Sequence, residues 1–438
     1  MANLIGGIPP YRGINNLIIG TGAADFIFGD PYTTGNVFGV AEIGGPLAAG
    51  RGGNDLLIGL GGDDWLFGDA WEISGEGRGG DDWLIGLGGD DQLFGDANTM
   101  SGNARGGNDW LSGGQGNDTL YGDANTMSDD ARGGNDQLIG GKGNDVLYGD
   151  AGTGPDVFSR IMAGGDQLYG DLGNDVLVGD VGDPFSFFFG LAVGGDDQLY
   201  GGPGDDVLYG DGRDVLVDQP GDDRLNGGSG NDVLVGDQIF SSSDAASGSG
   251  GDDLLEGGSG DDTLYGDTQT EFFFSGSGGN DQLYGGSGND ILIGDEGVAR
   301  LGTGGDDRLD GGSGNDTLYG DFESAADSQC GADVLIGGTG NDQLWGDAGF
   351  GSSVFTPGAD QFLFAPSSGQ DTIGDFQLGV DVIQIDSGYG YSSFAELQPN
   401  ISDDANGNAV VHLNGTVDQI TLIGVQTANL TANEFFFV

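Results

Sequence analysis

The chain has 438 residues, 97 of them glycine, and 71 acidic against 11 basic residues give a formal net charge of -60. With no basic patch to meet phosphates, this balance excludes a nucleic-acid partner and argues against an anionic membrane surface. No stretch is long and apolar enough to span a bilayer, and a single cysteine, Cys330, excludes an intrachain disulfide.

Residues 1–16 carry no repeat and read as a short N-terminal cap. They lack the charged and apolar regions of a signal peptide, so the expectation is either no export or a route that does not read the N-terminus. A worn first unit follows, Asn16-Leu17-Ile18-Ile19 and then Asp25-Phe26-Ile27-Phe28. Beyond it one unit keeps returning, as Gly-Gly-Gln-Gly-Asn-Asp-Thr-Leu-Tyr at 113–121, Gly-Gly-Lys-Gly-Asn-Asp-Val-Leu-Tyr at 140–148 and Gly-Gly-Ser-Gly-Asn-Asp-Val-Leu-Val at 227–235. Each copy is a glycine-rich turn closed by an aspartate, then a three-residue strand centred on Leu.

The central leucines come in pairs, from Leu57 and Leu66 to Leu335 and Leu344. Within a pair the separation is always nine residues; between pairs it runs from 17 (Leu208 to Leu225) to 22 (Leu177 to Leu199). Two units therefore make one coil with two facing strands, and every insertion emerges along one edge. The other edge is bare and regular. Period-2 alternation turns each central Leu inward, and burying one is worth about 1.5–3 kcal/mol. Stacked units form a single elongated body, and parallel crossovers favour a right-handed roll. The expected fold is all-β: a right-handed parallel β-roll over residues 17–347, with about twelve coils at a strand spacing of about 4.8 Å.

From 348 to 438 the pattern changes, and this segment reads as a small β-rich C-terminal cap over the last coil. Gly358-Ala359-Asp360 and Asp371-Thr372-Ile373 still echo the repeat, residues 378–385 alternate like a longer strand, residues 389–398 suggest a short helix, and 410–413 and 419–425 read as strands.

The turn carries the chemistry. Glycines reach positive φ and let carbonyls converge, and Ca²⁺ takes six to eight oxygen ligands, carbonyls mixed with carboxylates. The aspartate two residues before each central Leu is the candidate carboxylate. In the nine-residue turns these are Asp64, Asp91, Asp118, Asp145, Asp175, Asp206, Asp232, Asp262, Asp290, Asp316 and Asp342. Without a cation, like charges stacked one strand apart repel.

Over about residues 17–375 the sequence resembles the RTX family of calcium-binding β-roll repeats, whose nonapeptide is Gly-Gly-x-Gly-x-Asp-x-U-x, U being a large apolar residue. The resemblance implies multiple Ca²⁺ ions held between coils and a chain largely unfolded until calcium arrives. It also implies an uncleaved type I secretion region, matched by Gly358-Ala359-Asp360, Asp371-Thr372-Ile373, Asp375-Phe376 and Phe435-Phe436-Phe437. That region would explain a missing N-terminal signal and an extracellular or cell-surface, bacterial location. On the looped edge the equivalent metal candidates are Asp25, Asp55, Asp82, Asp109, Asp136, Asp166, Asp197, Asp223, Asp253, Asp281, Asp307, Asp333 and Asp360. Here Gly-Gly becomes Gly-Asp, as at Asp69, Asp96, Asp123, Asp150 and Asp237. These extra carboxylates either complete calcium sites or cap the loops, and the sequence leaves both open.

Other features have a bland and a functional reading. Arg51, Arg78, Arg105 and Arg132 recur every 27 residues, as charge compensation beside the aspartates or as a row for an anionic partner. The aromatic stripe Phe67, Phe94, Tyr121, Tyr148, Tyr209, Tyr265, Tyr319 and Trp345 is strand propensity and same-face stacking, or a platform for sugars. The inserts Phe185–Phe189 and Phe272–Phe274 suggest contact with a partner, another copy or the cap. Cys330 reads as an incidental loop thiol and His412 as structural. No His-Glu-x-x-His is present, and one histidine gives a Ser-His-Asp triad little support. The functional expectation is a secreted, non-catalytic, calcium-binding β-roll without a transmembrane segment. It would act at a surface, in a matrix or by self-association through the looped edge. The alternatives are a glycan- or ice-binding solenoid and a polysaccharide-modifying enzyme lacking a recognisable motif.

Overall fold

The computed structural model describes residues 17–20, 26–28, 47, 50–154, 160–182, 191–212, 217–237, 250–267, 277–295, 298–300, 303–326, 328–351 and 356–438. The expected N-terminal cap, Asp25, Phe185–Phe189 and Phe272–Phe274 lie outside these residues. The chain divides into two compact units, Met1–Tyr169 with Asp180–Gly190, and Gly170–Gly179 with Leu191–Val438. Both follow the expected right-handed parallel β-roll.

In the first unit the leading strands of successive coils pair in parallel, with Ile18, Leu57, Leu84, Leu111 and Leu138 in one register. The trailing strands do the same with Ile27, Leu66, Leu93, Leu120 and Leu147. The ladder leucines are fully buried; in Thr119–Tyr121 only the middle residue is buried, which is the alternation the sequence predicts. The leading strands are longer than expected. Trp83–Gly88, Trp110–Gln115 and Gln137–Lys142 each run six residues. Pairing continues into the turn because each turn stacks on the next: the Gly89 amide donates to the Gln115 carbonyl at 2.9 Å, and the Gly116 amide to that of Lys142 at 2.9 Å. Gly114 and Gly116 take φ of 114° and 131°, open to glycine at little cost.

The inserts of this unit are not irregular loops. Ala70–Ile73, Ala97–Met100, Ala124–Met127 and Ala151–Thr153 form a third parallel sheet. Ala70, Ala97, Ala124 and Ala151 stand in one register and are buried, and so do Ile73, Met100 and Met127. Beneath this sheet the aromatic stripe closes into a stack. Phe67–Phe94, Phe94–Tyr121 and Tyr121–Tyr148 centroids lie 4.4, 4.8 and 5.3 Å apart. The insert backbone lies against it, and a Cβ added to Gly152 would come 2.4 Å from the Tyr121 ring.

The second unit repeats the plan. Leu199, Leu225, Leu255, Leu283, Leu309 and Leu335 align in the leading strands. Leu177, Leu208, Leu234, Leu264, Leu292, Leu318 and Leu344 align in the trailing strands. Its inserts contribute the parallel strands Val298–Arg300, Phe322–Ala326 and Ala348–Gly351. Parallel pairing continues past 348, through Gln361–Phe364, Val382–Ile385 and Phe435–Phe437 on one sheet and Gln370–Ile373 and Gln419–Leu422 on the other. It then stops: Ala409–His412 and Ile401–Asp403 add antiparallel. The expected short helix is Phe394–Leu397, and Phe394 stacks on Phe435 at 5.1 Å.

Candidate metal centre

Because each coil repeats the one before, every turn residue lies on a ladder of its equivalents. The outermost row is exposed and made of Asn and Asp. Asp90, Asn117 and Asn144 each donate their amide to the side-chain oxygen of the preceding member, at 3.0, 2.8 and 2.8 Å. Sequence reasoning missed this ladder, although its signal is visible: only Asn or Asp precedes the candidate aspartate in most copies.

The next row inward holds the candidate ligands. On the bare edge the amides of Asp64 and Asp91 donate to Oδ1 of Asp91 and Asp118, both at 2.8 Å. On the looped edge the amides of Asp82 and Asp109 donate to Oδ1 of Asp109 and Asp136, at 2.6 and 2.7 Å. In the second unit Asp206, Asp232 and Asp262 donate to the next members at 2.8, 2.8 and 2.9 Å, as do Asp223, Asp253 and Asp281 at 2.7, 2.8 and 2.7 Å. All the sequence-predicted aspartates among the described residues are buried.

One carboxylate oxygen thus serves the backbone ladder. The other is buried with no hydrogen-bond partner among the described residues: Oδ2 of Asp82, Asp91, Asp109, Asp118, Asp136, Asp206, Asp223, Asp232, Asp253, Asp262, Asp281, Asp290, Asp307, Asp316, Asp333, Asp342 and Asp360. Native folds rarely leave buried acceptors unpaired, and such a group marks an ion or water. Each orphan faces a cradle kept open by glycine. A Cβ on Gly86 would lie 2.1 Å from Asp91 Oδ2 and 2.8 Å from the Gly113 carbonyl oxygen. On the other edge a Cβ on Gly95 would lie 1.7 Å from the Gly122 carbonyl oxygen and 2.1 Å from Asp109 Oδ2. An all-oxygen donor set of carboxylates and carbonyls suits a hard cation such as calcium.

Without a cation these carboxylates resist ionisation. Desolvation by burial, offset by the backbone hydrogen bond from the previous coil, pushes Asp91 up to about 6 and Asp118 to about 7. In the second unit it takes Asp206 to about 6 and Asp232 to about 7. Burial raises Asp82, Asp109 and Asp136 well above the ordinary carboxylate range, with neighbouring aspartates adding repulsion.

The Gly-Asp carboxylates form a further buried row on the looped edge. Asp69, Asp82 and Asp96 bring carboxylate oxygens within 4.8 Å of one another, as do Asp211, Asp223 and Asp237. Cys330 joins Asp321 and Asp347 in the same way. It is no incidental thiol: it replaces the first glycine of the turn, where a Cβ on Gly304 would sit 1.5 Å from Asp321 Oδ1. Burial pushes the Cys330 thiol well up, which keeps it protonated.

The description "RTX calcium-binding nonapeptide repeat" matches residues 48–70, 76–99, 103–126, 130–153, 162–185, 192–212, 210–238, 240–270, 273–298, 301–322 and 331–350, more than half of the chain. The chain belongs to the RTX repeat family. It is a calcium-binding β-roll with multiple Ca²⁺ ions as its cofactor. Among solved structures, the RTX chain is similar to the extracellular lipase LipA from Serratia marcescens, with 16% identity and a TM-score of 0.23. The match covers 69% of this chain and 40% of the lipase, so this RTX protein spans less than half of that enzyme, and nothing about activity is carried over. No curated protein matches the sequence. No helix among the described residues is long and apolar enough to cross a membrane.

The remaining features separate cleanly. Arg51, Arg78, Arg105 and Arg132 stack in register and are exposed, yet among the described residues none forms an ion pair with the aspartate ladders. Phe67 and Phe94 are buried, so this part of the aromatic stripe is core rather than platform. His412 is half-buried, with Nε2 3.2 Å from Ser402 Oγ and Nδ1 3.2 Å from the Gly415 carbonyl.

Proposed function

We propose that this RTX chain is a secreted, non-catalytic protein that folds as it binds calcium and then acts as a surface, matrix or self-associating scaffold. The observation that carries the reading is the two ladders of buried carboxylates, each with an oxygen left to a cation. The aspartates named from the sequence are the proposed ligands, together with the turn carbonyls. Calcium supplies the positive charge that lets like-charged coils stack. The chain's own part is to place glycine wherever donors converge and to bury leucine between the two ladders. Residues 348–438 are proposed as cap and type I secretion region; their strands prolong both sheets and end on an antiparallel hairpin, which breaks the parallel repeat.

A non-catalytic role is supported by the one histidine. Its Nδ1 meets a backbone carbonyl rather than a carboxylate, and its partner Ser402 is exposed on the same hairpin. A catalytic Ser-His pair needs an acid to fix the imidazole and a site that excludes water. The deciding experiment is calcium-dependent light scattering beside circular dichroism. The expected result is loss of β structure in EGTA and calcium-dependent assembly in its absence. A β spectrum unchanged by EGTA would overturn the calcium-folding reading, and monodisperse particles at saturating calcium would overturn the scaffold reading.

A further inference from the structure

The two edges do not offer a cation the same thing. On the bare edge each coil buries one carboxylate. Asp91 is typical: Oδ1 accepts from the Asp64 amide at 2.8 Å, and Oδ2 has no hydrogen-bond partner among the described residues. On the looped edge each coil buries two. Asp109 behaves like Asp91, with Oδ1 accepting from the Asp82 amide at 2.6 Å, and the buried Asp96 lies near enough for its charge to act on it.

The Gly-Asp carboxylates also divide their oxygens, and they do so repeatedly. Asp96 Oδ2 accepts from the Gly107 amide at 2.9 Å, Asp123 Oδ2 from Gly134 at 3.0 Å, Asp150 Oδ2 from Gly164 at 3.0 Å and Asp237 Oδ2 from Gly251 at 2.6 Å. Each of these bonds joins the first residue of an insert to the glycine that ends it, 11 to 14 residues on. The remaining oxygen, Oδ1 of Asp96, Asp123, Asp150, Asp237 and Asp267, is buried without a hydrogen-bond partner among the described residues. In these coils it points at a glycine: a Cβ on Gly79 would sit 1.5 Å from Asp96 Oδ1, and one on Gly106 1.5 Å from Asp123 Oδ1. The choice between capping the loop and completing a site is therefore not a choice, because each carboxylate has one oxygen for each task.

We propose that the Gly-Asp carboxylates make the looped edge a second class of calcium site, with two buried carboxylates per coil against one, that binds more tightly than the bare edge and fastens the base of each insert. The inference rests on the calcium reading above. Two carboxylates balance the charge of one divalent ion, whereas one leaves a surplus that accumulates along a ladder of ions spaced a coil apart. Calcium affinity rises with ligand charge when the donors are already in place. The clip bond holds the donors in place, since the same side chain that meets the cation also closes the insert. Calcium binding on this edge therefore orders the inserts, including the third sheet of the first unit.

The test is hydrogen exchange read by mass spectrometry on the full chain at graded free calcium. The amides of Gly80, Gly107 and Gly134, which donate to Gly-Asp carboxylates, should gain protection at about tenfold lower calcium than Gly89 and Gly116 of the bare turns. Simultaneous protection, or protection of the bare turns first, overturns the proposal. A second arm compares Asp96→Asn with Asp123→Asn against Asp91→Asn with Asp118→Asn, using calcium itself as titrant in calorimetry. The Asn side chain keeps an oxygen for the clip and removes the charge. The first pair should shrink the tight class and the second should leave it unchanged; a wild-type isotherm for the first pair overturns the proposal. A wild-type chain that binds no calcium at all would instead overturn the calcium reading on which it rests.

Discussion

The bare edge and the looped edge are built from the same glycine-and-aspartate turn, yet one never varies in length and the other runs from 17 to 22 residues between central leucines. The nine-residue turn has no slack, because its carbonyls, glycines and carboxylate all stand on ladders shared with the coils above and below. The interrupted turn keeps those ladders by moving the variation out of them. Asp96 and Gly107 meet across their insert at 2.9 Å, and Asp237 and Gly251 meet across a longer one at 2.6 Å. A short charge-assisted bond at the base makes the length above it irrelevant to the coil. Tolerance to insertion is thus a property of one carboxylate position rather than of the loop.

That comparison can be broken in several ways. Calcium removal has the largest expected effect. Both ladders should repel, and circular dichroism in EGTA should report loss of β structure on both edges together with the third sheet. Acidification should partly reverse that loss. Asp91, Asp118 and Asp150 have folded-state values raised to about 6, 7 and 7 from an unfolded value near 4. A raised folded value favours the fold when the group is protonated, so the metal-free roll is most stable below about pH 4 and loses that stability as pH rises through about 6 to 7. With calcium present the sign inverts, because protons compete for the same oxygens. Melting in EGTA from pH 4 to 8 checks the first slope, and calcium titrations at the two ends check the second.

Point substitutions come next. Leu111→Ala and Leu120→Ala remove equivalent core contacts from facing strands, and each should cost about 2–5 kcal/mol in calcium-saturated urea melts. Unequal losses would show that the two sheets between the edges do not share the core equally. Gly116→Ala forces an alanine to a φ of 131° with its Cβ 1.8 Å from the Gly89 carbonyl oxygen. Gly106→Ala drives a Cβ to 1.5 Å from Asp123 Oδ1. The first should destabilise the roll by at least about 1–2 kcal/mol from conformation alone. The second should act chiefly on calcium affinity, seen in calorimetry. The smallest effect belongs to the arginine row: Arg105→Ala should move stability by no more than about 0.5 kcal/mol in the same melts, since the row pairs with neither ladder.

Much of this molecule is legible in its sequence. Leu111 and Leu120 announce the two sheets because their nine-residue spacing repeats without error, and Asp91 and Asp118 announce the metal rows because they keep a fixed distance from those leucines. The third sheet was harder to see. Ala97–Met100 and Ala124–Met127 have the same Ala-Asn-Thr-Met sequence 27 residues apart, but four residues inside an insert carry too little alternation to read as a strand. Their structure comes from stacking on identical neighbours, which local propensity does not encode. The aromatic stripe fails for the same reason: Phe94 occupies an outer strand position and becomes buried only because an insert strand returns across it. The Gly-Asp carboxylates support two readings from sequence because both describe one side chain, seen from its two oxygens.

The stacking of Ala97 on Ala124 and of Arg78 on Arg105 and Arg132 has a genetic meaning. Within residues 78–132 a shift of 27 positions maps leucine, aspartate, arginine and insert onto their own kind. Unequal recombination between such segments would add or remove a whole cassette and join surfaces that already fit. The first unit can therefore change length by copying rather than by redesign, and each new copy would arrive with its own donors for the ions that hold it.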